Sequence, residues 1–77
     1  MGRLRLAPYS RLRRVAEACG FVTVRRESSH CSFKHPDGRI VAIPDHGSQV
    51  IVRPLLRSII RDLGLSVDEY NRLLDEL

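Results

Sequence analysis

Between residues 10 and 20 the chain reads SRLRRVAEACG, and its apolar side chains recur at i, i+3, i+4 and i+7: Leu12, Val15, Ala16 and Cys19. That spacing lays one apolar stripe along a helix. Ser10 is placed to cap the first turn and Gly20 to end the last, so Arg11, Arg13 and Arg14 point mostly outward. The preceding MGRLRLAPY lacks this period and is expected to be a loose lead-in. A second stripe follows Pro54, a residue suited to a helix N-terminus; it comprises Leu55, Leu56, Ile59, Ile60 and Leu63, with Gly64 as the stop. The last segment, SVDEYNRLLDEL, opens with Ser66 and Glu69 at capping-box spacing, and Leu65 is placed to staple onto Tyr70. Val67, Tyr70, Leu73, Leu74 and Leu77 form its inner face.

The middle of the chain changes period. FVTVRRE (21–27) has the β-branched composition of a strand. HCSFKH (30–35) alternates, with His30, Ser32 and Lys34 on one face and Cys31, Phe33 and His35 on the other. Pro36-Asp37-Gly38 predicts a hairpin turn, since Gly at its end accepts a positive φ. RIVAI (39–43) is a third strand, stopped by Pro44, which has no N–H for a ladder. The loop DHGSQV leads out. The order α-β-β-β-α plus a short C-terminal helix predicts an α+β fold. Its three-stranded antiparallel sheet is covered by helices on one face and free on the other. This is a dsRBD-like plan, that of a double-stranded-RNA-binding domain, although a fold alone does not fix a function.

With 77 residues, all of 1–77 falls into a single domain near the small end of what folds alone. The hydrophobic content of 43% argues for a globular chain. Charge is distributed unevenly. Residues 1–39 hold nine basic side chains against three acidic ones, whereas residues 40–77 hold four against six. Twelve of the thirteen basic residues are Arg, which forks onto phosphate through two hydrogen bonds. Contact with RNA or DNA is the functional reading of that asymmetry, and a solvated surface the bland one. No apolar run approaches the ~20 residues needed to span a bilayer. Cys19 and Cys31 lack CxxC spacing and follow no secretory signal, so a reduced, cytoplasmic setting is expected.

The segment RRESSHCSFKHPDG (25–38) concentrates the candidate chemistry. Cys31, His35, His30 and His46 are the possible metal ligands, yet they form no paired spacing. Cys31 and His35 sit roughly 13 Å apart along one strand face, so no metal site is expected. Cys31 neighbours His30 in sequence but points to the opposite face, which argues against a Cys–His nucleophile. Phosphate chemistry remains. His30 shares a face with Lys34 and follows the polar Ser28-Ser29 connection, whose hydroxyls and backbone N–H groups can hold a phosphate oxygen. An imidazole titrating near ~6.5 can take the proton of a ribose 2′-OH or protonate a leaving oxygen at neutral pH. RNA brings its own nucleophile, so one histidine plus cations suffices chemically, and no cofactor is needed. From the residues alone, a structural role for His30 stays open. His35, at a hairpin shoulder, reads as a packing group. His46, beside Gly47, reads as part of the loop's architecture in preference to a substrate contact.

In order and spacing, several words of the chain resemble one family. They are Gly20-Phe21, Arg25, Ser29-His30, His35-Pro36-Asp37-Gly38-Arg39, Val41, Ile43-Pro44, His46-Gly47, Leu56-Arg57-Ser58-Ile59, Gly64-Leu65-Ser66 and Glu69-Tyr70. They are similar to those of the HicA (YcfA-like) mRNA interferase toxins of type II toxin–antitoxin systems. The resemblance implies a dsRBD-like fold, metal-independent cleavage of mRNA and inhibition by a HicB-like antitoxin that occludes the site. It places the family's catalytic histidine on His30. Arg25, Arg26 and Lys34 are then the expected phosphate contacts, with Ser28 and Ser29 orienting a phosphate. The chain departs from the family pattern at Ser28, where Gly is usual, at Glu27 and Cys31, and at Val52-Arg53-Pro54-Leu55. The alternatives are a non-catalytic dsRBD-like RNA-binding module or degenerate toxin, and a scaffold whose Arg surface meets an acidic protein.

Overall fold

A computed structural model describes residues 3–77. Helix α1 (Tyr9–Ala18) is followed by strands β1 (Val22–Glu27), β2 (His30–Lys34) and β3 (Ile40–Pro44). Helices α2 (Arg53–Leu63) and α3 (Val67–Glu76) complete the chain. The sheet is antiparallel in the order β1-β2-β3, so the α+β architecture matches the one that the hydrophobic pattern predicts.

The predicted stops act where local backbone chemistry requires them. Gly64 closes α2 in the left-handed region at φ 80°, a conformation that a Cβ penalises. A Cβ there would also stand 2.8 Å from the Arg39 guanidinium. Ser66 and Glu69 form the expected reciprocal box. The Glu69 N–H donates to Ser66 Oγ at 3.1 Å and the Ser66 N–H to Glu69 Oε1 at 2.8 Å. The start of α1 differs. Pro8 is the cap, in extended backbone, and Ser10 lies inside the helix. Tyr9 is buried with its ring 6.4 Å from that of Phe33, and the helix starts two residues earlier than expected.

The core lies between the helices and one face of the sheet. Cys31, Phe33, Val41 and Ile43 supply the sheet side. Leu12, Val15 and Ala16 of α1, Leu56, Ile59 and Leu63 of α2, and Tyr70 and Leu74 of α3 supply the helical side. Leu55, expected on the α2 stripe, is instead 41% exposed.

One further expectation is corrected. The N-terminal segment is integral to the fold: Leu4 and Ala7 are buried, and Pro8 bridges Val50. Its carbonyls accept hydrogen bonds from α2 and α3. Arg53 donates to Leu4 O at 2.8 Å, the Tyr70 hydroxyl to Arg5 O at 2.7 Å, and Asn71 Nδ2 to Arg3 O at 2.6 Å. Strand β1, the strand that the β-rich composition predicts, is exposed along its whole length. The helices cover β2 and β3, and β1 overhangs them, leaving Val22 and Val24 60% and 53% exposed.

One irregularity in β1 decides which side chains reach the site. Thr23 pairs with Phe33 but Arg25 with Ser32, so Val24 is an extra, bulged residue. Because side chains alternate, one inserted residue moves everything beyond it to the other face. Arg25 therefore joins the open face, and Arg26, opposite Cys31, turns to the helix side.

Candidate active site on the open face of the sheet

Alternation from the observed register puts Arg25 and Glu27 of β1, His30, Ser32 and Lys34 of β2, and Ile40 and Ala42 of β3 on the uncovered face. His30 is exposed and, among the described residues, its ring has no hydrogen bond or ion pair. Lys34 is likewise exposed and unpaired.

His30 is delivered by a two-residue turn, Ser28-Ser29, between paired Glu27 and His30. Ser28 has φ 54°, the one non-Gly residue with positive φ among those described. Positive φ at the first loop position is the pattern of a II′ hairpin, which normally selects Gly there. The conformation expected of a glycine at this position is thus kept by a serine, at a cost of ~1–2 kcal/mol for left-handed backbone. Both serine hydroxyls are left without a protein partner.

The two arginines have separate roles. Arg25 Nη2 donates to Glu27 Oε2 at 2.9 Å on the open face, which offsets part of its charge. Arg26 donates to Asp45 Oδ2 at 2.8 Å and to Cys31 Sγ at 2.9 Å. Arg26 is therefore not gathered with His30, whereas Ser28, Ser29 and Arg25 lie beside it, and Lys34 shares its face roughly 13 Å along the strand. The Arg26 hydrogen bond, then the Gly47 N–H at 3.1 Å from Oδ1, hold the Asp45 carboxyl below the usual carboxylate range. Behind this rim, burial and then the Cys31 thiol push the Tyr9 hydroxyl up to about 12.

A cleft of about 420 Å³ opens beside His30. His30, Ala42 and Pro44 line it from the sheet, and His46, Gln49, Val50, Val52 and Leu55 from the loop and the start of α2. It is mostly apolar with two imidazoles and one amide, a composition typical of ligand sites. His46, Gln49 and Leu55 were not among the expected site residues. The available signal was positional, since His46 lies two residues beyond Pro44, the residue paired with His30. Among the described residues no group of three or more His, Cys, Asp or Glu is arranged to hold a metal ion. His35 stands apart, packed on Phe21.

Fold and site together define a small α+β domain that displays an unpartnered histidine, a serine turn and cationic side chains beside an apolar cleft. Residues 9–65 match the model of the HicA toxin family of bacterial toxin–antitoxin systems, and the chain belongs to that family. The match runs from the first residue of α1 past the end of α2. A search of curated proteins found no significant match. Membership makes the chain a toxin-family protein and implies an antitoxin partner. No helix among the described residues is long and apolar enough to cross a membrane.

Proposed function

We propose that this chain is an endoribonuclease toxin that cuts mRNA in the cytoplasm without a metal or other cofactor, using His30 for proton transfer. A HicB-like antitoxin neutralises it by covering the cleft. The observation that carries this reading is the state of His30: exposed, unbonded and on a cleft wall, with Lys34 on the same face. A ring that is buried, or has both nitrogens engaged, has no free position for a substrate proton. Lys34 and Arg25 meet the phosphates, and Ser28 and Ser29 orient one of them. Arg26, on the helix side and paired with Asp45, does not join them. Lys34 and Arg25 stabilise the negative charge that accumulates on phosphorus in the transition state.

A positioned general acid or base is worth ~10²–10⁴-fold. His30→Ala is therefore expected to lose cleavage by that factor and still retain RNA in a gel shift. An RNA carrying deoxyribose at the cut position is expected to stay intact, because the 2′-OH is the nucleophile. Equal cleavage by His30→Ala overturns the assignment, as does scission of the deoxy substrate. The Arg25–Glu27 pair favours a second reading, a non-catalytic RNA-binding module or degenerate toxin, because it weakens the positive field beside His30. RNA binding without cleavage by the wild-type chain supports that alternative.

A further inference from the structure

Breaking a phosphodiester by attack of the 2′-OH moves two protons. One leaves the nucleophile, and the other must reach the departing 5′-oxygen. A single imidazole cannot do both in the same step, and the cleft holds a second one. Resting on the ribonuclease reading above, we propose that His46 is a catalytic residue, the general acid that protonates the 5′-oxygen while His30 takes the 2′-OH proton. The P–O5′ bond breaks as the 2′-O–P bond forms, giving a 2′,3′-cyclic phosphate and a 5′-OH. His30 finishes with one proton more and His46 with one fewer, so the step needs no water and no further reactant.

The geometry that supports this is built from the backbone. His30 pairs with Pro44 across the ladder, and paired Cα atoms lie about 4.5–5.5 Å apart. His46 follows two residues later, so the two Cα atoms lie within about 12 Å. Two imidazoles on arms of that separation can flank one phosphodiester, and both line the same cleft. The loop is tied to the turn that delivers His30, since the Asp45 N–H donates to Ser29 O at 2.6 Å. His46 itself is held from both sides. Asp45 Oδ1 accepts the Gly47 N–H at 3.1 Å, and Asp45 Oδ2 is gripped by Arg26 at 2.8 Å. The backbone of His46 is thus fixed, while its exposed ring has no hydrogen bond or ion pair of its own among the described residues. The roles divide by position: His46 stands on the loop of the anionic Asp45, and His30 stands on the strand face that carries the cation Lys34. The bulge in β1 contributes as well, because it aims Arg26 at Asp45 and away from the open face.

The test uses the full chain and two RNA oligonucleotides that share one cut site, mapped beforehand by sequencing the fragment ends. One has the ordinary linkage, and the other has sulfur in place of the bridging 5′-oxygen, a leaving group that needs no proton. His46→Ala is expected to lose ~10²–10⁴-fold on the ordinary linkage and to come within about tenfold of wild type on the sulfur linkage. His30→Ala is expected to stay slow on both. His46→Gln, which keeps the side chain's length and polarity, is expected to behave as His46→Ala and guards against a folding defect. Wild-type rates for both His46 variants on the ordinary linkage overturn the inference and leave the ribonuclease reading standing. An equal loss on both linkages also overturns it, making His46 a binding or loop residue. A wild-type chain that cuts neither RNA overturns both readings.

Discussion

Strand β2 begins at His30 and is followed directly by His35, and the two imidazoles occupy opposite kinds of surroundings. The His35 ring lies 5.2 Å from that of Phe21 at 59°, and its Nδ1 accepts the Asp37 N–H at 3.1 Å. Its other edge sits beneath Gly20, where a Cβ would come within 3.1 Å. The Pro36-Asp37-Gly38 turn closes on itself. The Gly38 N–H donates to His35 O at 2.9 Å, Arg39 Nε bonds Asp37 Oδ2 at 2.8 Å, and the Arg39 guanidinium stacks 5.3 Å over Phe21. At the other end the Ser28-Ser29 turn leaves two hydroxyls and the His30 ring unused. Where the protein satisfies its own polar groups, the residues are structural. Where it leaves them open on a cleft, they are available to a ligand.

That contrast is broken most directly by truncating each ring. His30→Ala should reduce cleavage by ~10²–10⁴-fold with little change in stability, and His35→Ala should do the reverse. Losing the tilted aromatic contact and one hydrogen bond should lower the unfolding free energy by about 1–2 kcal/mol, read by denaturant titration, with cleavage retained. If His35→Ala abolishes cleavage while remaining folded, the division between the two ends fails. A smaller effect is expected at the strained turn. Ser28→Gly relieves left-handed backbone but adds entropy to the unfolded chain, for a net gain of up to about 1 kcal/mol in the same titration.

The Asp37 turn and the loop after β3 should resemble each other in acid. Asp37 and Asp45 both have carboxyls held below the usual range, Asp37 first by the Arg39 N–H and Asp45 first by the Arg26 guanidinium. A carboxyl whose folded pKa is depressed contributes stability at pH values above its unfolded value of about 3.9, and that contribution is lost as pH falls through the folded value. Thermal melts between about pH 6 and pH 2 should therefore show a falling Tm, and Asp37→Asn and Asp45→Asn should each flatten the acid limb. The smallest effect expected is that of a chelator. EDTA should leave the cleavage rate unchanged, and strong inhibition would bring a metal back into the mechanism.

Much of this molecule was legible along the chain because its signals are local. Pro44 ends a strand because it lacks an N–H, Gly64 ends a helix because αL backbone suits it, and Ser66 with Glu69 opens the next by satisfying two orphan N–H groups. His30 on the outer face of β2 followed from alternation alone. The misreadings have non-local causes. The lead-in has no period of its own, yet Leu4 and Ala7 are buried because α2 and α3 supply partners that lie more than forty residues away for Leu4. Leu55 fits the α2 stripe by spacing but faces the cleft, since the helix buries only the side set by its docking on β3.

The sequence by itself determined the order of elements, the face that His30 occupies and the chemistry available there, because each depends on residues within a turn or two of one another. Only the tertiary structure decided which arginine reaches that face and what stands across from the histidine. A single bulged residue, Val24, reverses Arg25 and Arg26, and pairing of β3 with β2 brings the loop of His46 to the cleft of His30. Periodicity fixes a side chain's face only while the register is unbroken. Contacts between strands, and not the strand's own composition, determine where a register slips.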